Sequence, residues 1–199
     1  MHTRVLTFRG AKNIDDGIAF VRDEAVPIVS EQKGYRGLTV SADRAGGVVG
    51  ILSLWDTEAN REASLGALAD LRERGVKVVG GELTVESFEQ LVEELASPPM
   101  AGAALMVTRI SMDPAKIDEN IDYFRRDALP EITARPGFLG LRHMMDRQTG
   151  RGVVGSAWAH QDAMQAWAAD APTRRQNAQA RGVNFGEVSY REILFAHIP

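Results

Sequence analysis

The chain contains no cysteine. That absence removes disulfides, thiolate metal sites and cysteine nucleophiles together, and it fits a cytoplasmic protein. No apolar run approaches the roughly 20 residues of a membrane span. The amino-terminal MHTRVLTFRGAK has no apolar signal core. Positive charge is not in excess either. The net charge of −4 leaves no basic footprint for nucleic acid, and no membrane partner is expected. No glycine-rich loop leads from a strand into a helix, no metal-ligand spacing occurs, and no serine sits in a nucleophile elbow. Neither metal nor cofactor is expected. What remains is 44% hydrophobic and 25% charged, the composition of an ordinary folded domain.

What is present is a repeat. Residues 34–55 (GYRGLTVSADRAGGVVGILSLW) and 137–158 (GFLGLRHMMDRQTGRGVVGSAW) agree at eight of 22 positions without a gap. The shared residues are Gly34, Gly37, Leu38, Asp43, Arg44, Gly47, Ser53 and Trp55, which return as Gly137, Gly140, Leu141, Asp146, Arg147, Gly150, Ser156 and Trp158. Upstream, Ile14, Asp15, Ile18, Arg22, Ala25 and Pro27 return at the same offset of 103. Fourteen identities in 42 positions far exceed the roughly one in fifteen that composition gives. The pattern is that of an internal duplication.

Each copy reads as β-α-β-β-α-β. In the first, strands are expected over 4–8, from Gly34, and over 48–55. The turn lies at 43–47. A helix carries Ile14, Ile18, Val21 and Ala25 as its apolar stripe and ends or kinks at Pro27. Thr57 or Asp56 caps a second helix over 59–71 that ends near Gly75. A fourth strand is expected within 76–88, interrupted by Gly80 and Gly81, with a short helical turn over 88–95. SPPMAG at 97–102 is a linker between repeats at 1–96 and 103–199. In the second repeat, strands are expected at 104–111 and 187–195. Asp113 and Pro114 open the first helix, with its stripe at Ile117, Ile121, Phe124 and Ala128. A second helix at 161–169 stops at Pro172, and the polar stretch 173–181 could extend it. One such unit leaves a sheet face uncovered, and the apolar strand at 48–55 needs cover. The expected fold is α+β: two ferredoxin-like repeats packed sheet to sheet as an intramolecular barrel. That is a monomer with a pseudo-dimeric barrel, or a weak homo-oligomer.

The element order, the PGFLG opening at 136–140 and the strand that ends in tryptophan before an alanine-rich helix resemble the dimeric α+β barrel superfamily. The flavour is that of the antibiotic-biosynthesis-monooxygenase-like (ABM) group in tandem form. The resemblance implies a small aromatic or quinone-like ligand in a pocket between helices and sheet, and cofactor-independent oxygenation there. A non-catalytic binding or assembly protein is the alternative. In that family the position of Trp55 and Trp158 lies at the pocket mouth. An indole there would stack a ligand, or else close the strand-to-helix corner with its N–H on a carbonyl. Haem-degrading relatives place an iron-ligating histidine on the following helix. Here that helix carries Ser64 and Leu65, then Trp167 and Ala168.

The titratable candidate is His143, which stands where the first copy has Val40. It would act as general base, with Arg142 or Arg109 steadying an anion. The bland reading is a hydrogen-bonded sheet histidine among Met144 and Met145. Adjacent strand residues face opposite ways, so Arg142 and His143 share one pocket only across a bulge. Trp167 and Met164 form the apolar face of the second helix. His160 is read as a helix-start residue, and Asp118 as part of a solvated charged face.

Overall fold

The computed structural model describes residues 1–199, and the chain folds as two compact units. Met1–Phe88 with Arg191–Pro199 form the first, and Glu89–Tyr190 the second. The first begins with β1 (His2–Arg9) and α1 (Ile14–Phe20), which passes through a π-helical turn (Val21–Ala25) into α2 (Val26–Ser30). β2 (Tyr35–Asp43), β3 (Val48–Trp55), α3 (Glu58–Ala67), α4 (Ala69–Val79) and the start of β4 (Glu82–Leu95) follow. The second unit holds the rest of β4 and β5 (Ala104–Ser111). A 3-10 turn (Pro114–Lys116), α5 (Ile117–Tyr123), a π turn (Phe124–Ala128) and α6 (Leu129–Thr133) come next. β6 (Phe138–Met145), β7 (Arg151–Trp158), α7 (Gln161–Ala169), α8 (Ala171–Gln179) and β8 (Asn184–His197) complete the chain.

The order β-α-β-β-α-β therefore occurs twice, as two ferredoxin-like repeats in an α+β fold. The hydrogen-bonded strand order closes on itself as β1-β3-β2-β8-β5-β7-β6-β4. β4 and β8 each give one end to either unit. The repeats at 1–96 and 103–199 describe the order of elements, while the compact units trade these strand ends.

Both units are built on one register. His2 faces Trp55 across β1 and β3, and Ala104 faces Trp158 across β5 and β7. Both hairpins slip by one residue near their start, between Tyr35 and Gly37 and between Phe138 and Gly140. The glycines there admit a close neighbour. A Cβ on Gly37 would come 3.1 Å from the His197 carbonyl oxygen, and one on Gly140 would sit 2.7 Å from Leu95.

The other shared residues also have mechanical work. Arg44 reaches back to Asp15 at 2.7 Å, and Arg147 reaches to Asp118 at 2.9 Å, so each hairpin turn is tied to the first helix of its unit. Trp55 Nε1 donates to Ser53 Oγ at 3.0 Å, and Trp158 Nε1 to Ser156 Oγ at 3.1 Å. The acceptor is a serine hydroxyl two residues back, where a carbonyl was expected.

Four sequence expectations are corrected. Pro27, expected to end or kink its helix, does not end it, and neither does Pro130 at the same offset. Each sits one residue into α2 or α6, and the ladder it cannot join widens into the π turn just before it. Residues 76–79 are helical, because Gly75 packs inside α4 against Phe20 and Gly80 is the true stop, with φ of 73°. Residues 88–95 extend β4 and pair with β6. Pro172 opens α8, where a first-turn proline costs no hydrogen bond.

Candidate functional site

A cavity of about 390 Å³ lies in the second unit, between its sheet and helices. β5 turns Thr108 toward it, β6 turns Leu141 and His143, and β7 turns Ser156. Asn120 of α5 and Phe124 of the π turn cover it, and Trp167 and Arg174 close the side formed by α7 and α8. The period-2 alternation of the strands decides which residues arrive.

His143 stands on the sheet wall of the cavity. It is 4% exposed, and neither Nδ1 nor Nε2 has a hydrogen-bond partner. Phe124 meets it edge-on, with ring centroids 5.0 Å apart. Desolvation pushes its pKa down to about 4, so the imidazole is neutral at physiological pH. A neutral imidazole presents one donor and one acceptor. Asn120 adds an acceptor: its Nδ2 donates to the Lys116 carbonyl at 3.0 Å, while its buried Oδ1 has no partner. Unpartnered buried polar atoms are uncommon, because each costs about 1–3 kcal/mol. Two such residues on one cavity give a polar floor without formal charge. Thr108 and Ser156 add hydroxyls.

Charge is held at the helix side. The Arg174 guanidinium lies 3.3 Å from the Trp167 ring centroid, donates to the Trp167 carbonyl at 2.5 Å, and stands 3.9 Å from Glu131. Burial lowers its pKa, and the Glu131 and Asp170 charges act against that.

The residues singled out from sequence separate. His143 and Trp167 line the cavity. Trp158 does not. It is 0% exposed, with Phe138 edge-on at 5.9 Å and Trp167 tilted at 5.8 Å, so its ring closes the corner beneath. Trp55 lines a smaller cavity of about 80 Å³ in the first unit. Arg142 points to the opposite face of β6, bonded to Gln90 at 2.7 Å and paired with Glu93; burial lowers its pKa to about 10. Arg109 lies between the cavity-facing Thr108 and Ile110, so it too faces away. The slip beside His143 lies in β4, between Gln90 and Val92, while β6 and β7 stay in register from Gly140 to Met145, so Arg142 and His143 keep opposite faces. Asn120 escaped the sequence reading, yet the signal was there. It replaces Gly17 at the same offset at which His143 replaces Val40.

No histidine of α7 faces the cavity. The α7 side is occupied by the Trp167 ring, and the histidine nearest that helix, His160, is engaged as its cap, Nδ1 accepting from the Ala163 N–H at 3.2 Å. No helix is long and apolar enough to cross a membrane.

An uncharacterised protein of Mycobacterium tuberculosis, Rv2557, is 30% identical over 152 residues, which span 76% of this chain and 68% of that one. The chain belongs to the family of Rv2557. No described family model matches it. Among solved structures, a candidate monooxygenase from Fusobacterium nucleatum superposes with a TM-score of 0.70 at 11% identity, over 99% of this chain and 94% of that one. An anthrone oxidase-like protein superposes at 0.68 with 16% identity, over 99% and 93%. The fold is thus that of the tandem ABM-like proteins. At such identities the likeness speaks for fold alone.

Proposed function

We infer that the second unit binds a neutral, hydroxylated aromatic or quinone-like molecule and oxygenates it without a bound cofactor. One observation carries this reading: a buried imidazole with both nitrogens free, set in a mostly apolar cavity. A ligand hydroxyl would donate to Asn120 Oδ1 or to the acceptor nitrogen of His143, and a ligand carbonyl would accept from the His143 N–H, matching polar atoms that otherwise stay unpartnered. The ring would lie among Phe124, Leu141 and Trp167. The sheet side offers apolar surface and uncharged polar groups, which suits an uncharged aromatic.

For an anthrone-type substrate, the ring methylene loses a proton to an imidazole nitrogen of His143. The carbanion passes one electron to O2, and the two radicals join at carbon as a peroxide, which takes the proton back. Loss of water leaves a carbonyl, so one methylene and one O2 give one carbonyl and one water. A neutral imidazole can accept that proton without first losing one. The negative charge that develops beside it raises its basicity as the reaction proceeds.

The test is oxygen uptake with dithranol, a dihydroxyanthrone, as substrate. His143→Ala should lower kcat by about 100-fold or more, with the fold unchanged by circular dichroism. Equal uptake by the variant would discard the role of His143. A second reading, binding without turnover, draws on the low basicity that burial gives His143. Saturable dithranol binding with no oxygen uptake would establish it instead.

A further inference from the structure

The smaller cavity, in the first unit, has a different chemistry. Its polar lining is Arg4, Ser53, Ser64 and Arg72, and its remaining lining residues are apolar. No carboxylate lines it. Arg4 is 4% exposed. Its Nη1 donates to Ser64 Oγ at 2.7 Å, while Nε and Nη2 have no hydrogen-bond partner. Those two atoms form the side-on fork of a guanidinium, the edge that takes a carboxylate through two parallel bonds.

The neighbouring acids do not fill that edge. Glu62 Oε1 stands 3.5 Å from Arg4 Nη2, while Arg61 holds the same carboxylate at 2.8 Å. Glu58 is also held by Arg61, at 3.0 Å. Arg72 donates to the Leu65 carbonyl. Arg4, Arg61 and Arg72 thus face Glu58 and Glu62, and the cluster is one negative charge short. Burial lowers the pKa of both Arg4, which is almost fully enclosed, and Arg72, which is partly so.

We propose that the first unit binds a short-chain aliphatic monocarboxylate, with its carboxylate on the Nε–Nη2 edge of Arg4 and its tail among Leu6, Leu38 and Leu68. Size decides against a ring. A cavity of about 150 Å³ holds benzene, and this one is about 80 Å³. A tail of a few carbons fits. The site has no counterpart in the second unit, where the strand register places Met106 at the position of Arg4.

The experiment titrates the full chain with butyrate and, separately, with butyramide, into the tens of millimolar. Binding is read from the indole N–H signals of the three tryptophans, Trp55, Trp158 and Trp167. Butyrate should shift Trp55 saturably and leave Trp167 in place, and butyramide should bind about tenfold more weakly or not at all. Arg4→Lys keeps the charge and loses the fork, so butyrate should weaken about tenfold. If that variant does not fold, the wild-type contrast between acid and amide decides. Equal affinity for the two, no saturable shift, or shifts confined to Trp158 and Trp167 would overturn the proposal.

Discussion

The two cavities occupy equivalent places in equivalent units, yet one measures about 390 Å³ and the other about 80 Å³. The frames that hold them match almost residue for residue: a tryptophan on a serine hydroxyl, an arginine tying hairpin to helix, a π turn ahead of a proline. The difference lies in what fills the space. At residue 17 a side chain would meet Val79 at 2.7 Å, whereas the equivalent Asn120 lines the larger cavity and carries an unpartnered oxygen. Val40 is fully buried in the first core, and its equivalent is the orphaned imidazole of His143. One frame holds a packed apolar core with a buried cation at its edge. The other holds space, with uncharged polarity on its sheet side and charge on its helix side.

The largest effect should fall on the shared frame, equally in both units. Trp55→Ala and Trp158→Ala each remove a fully buried ring and leave a serine without its donor. Each should cost about 3–5 kcal/mol in urea unfolding. A cost confined to Trp158 would mean that the two corners do not carry the same load.

His143→Val gives the second unit the residue of the first, and its effect should depend on pH. The imidazole pKa is 6.5 in the unfolded chain and about 4 in the fold. Below pH 6.5 the unfolded chain takes up a proton that the folded one refuses. Stability due to this group is therefore complete above that pH and declines as pH falls toward 4. The decline amounts to about 3 kcal/mol. Urea midpoints of the wild type should drop more than those of His143→Val between pH 7 and pH 4.5, the shared carboxylate background cancelling. Parallel curves would show that His143 is not held neutral.

The hairpins, the tryptophans and the element order were legible because they rest on local rules. Positive-φ glycines, turn acids and strand alternation leave their marks in short windows. The long course of β4 was not legible. EQLVEEL at 89–95 reads as helix by composition, and only its pairing with β6 makes it strand. Helix α4 was shortened in the reading because Gly75 looks like a stop, while in the fold it makes room for Phe20. At the site, His143 was visible as a disagreement between copies. Asn120 was equally visible, since it stands opposite Gly17 within the same gapless window. Arg4 lies outside the gapless window altogether, since β5 is offset from β1 by one residue less.

Gly17→Asn would push the first unit toward the second. The new side chain collides with Val79, so the cost should be about 1–3 kcal/mol in urea unfolding, with no gain in room. An unchanged midpoint would show that the first core can open as the second has.

The smallest effect is expected at the residue next to the centre. Arg142 and His143 are neighbours in sequence, both are largely buried, and both were candidates for one site. The pleat separates them: His143 enters the cavity, and Arg142 turns to Gln90 and Glu93 on β4. Arg142→Met keeps an unbranched apolar stem and removes the guanidinium that makes those contacts. Dithranol affinity should therefore stay within about twofold of wild type, while His143→Val loses the ligand's polar anchor and weakens binding about tenfold. Titration of Trp167 fluorescence reads both, because that ring lines the cavity. Equal losses in the two variants would mean that ligand binding reaches through β6 to its other face, and that the site is not the one-sided cavity that the alternation of the strand builds.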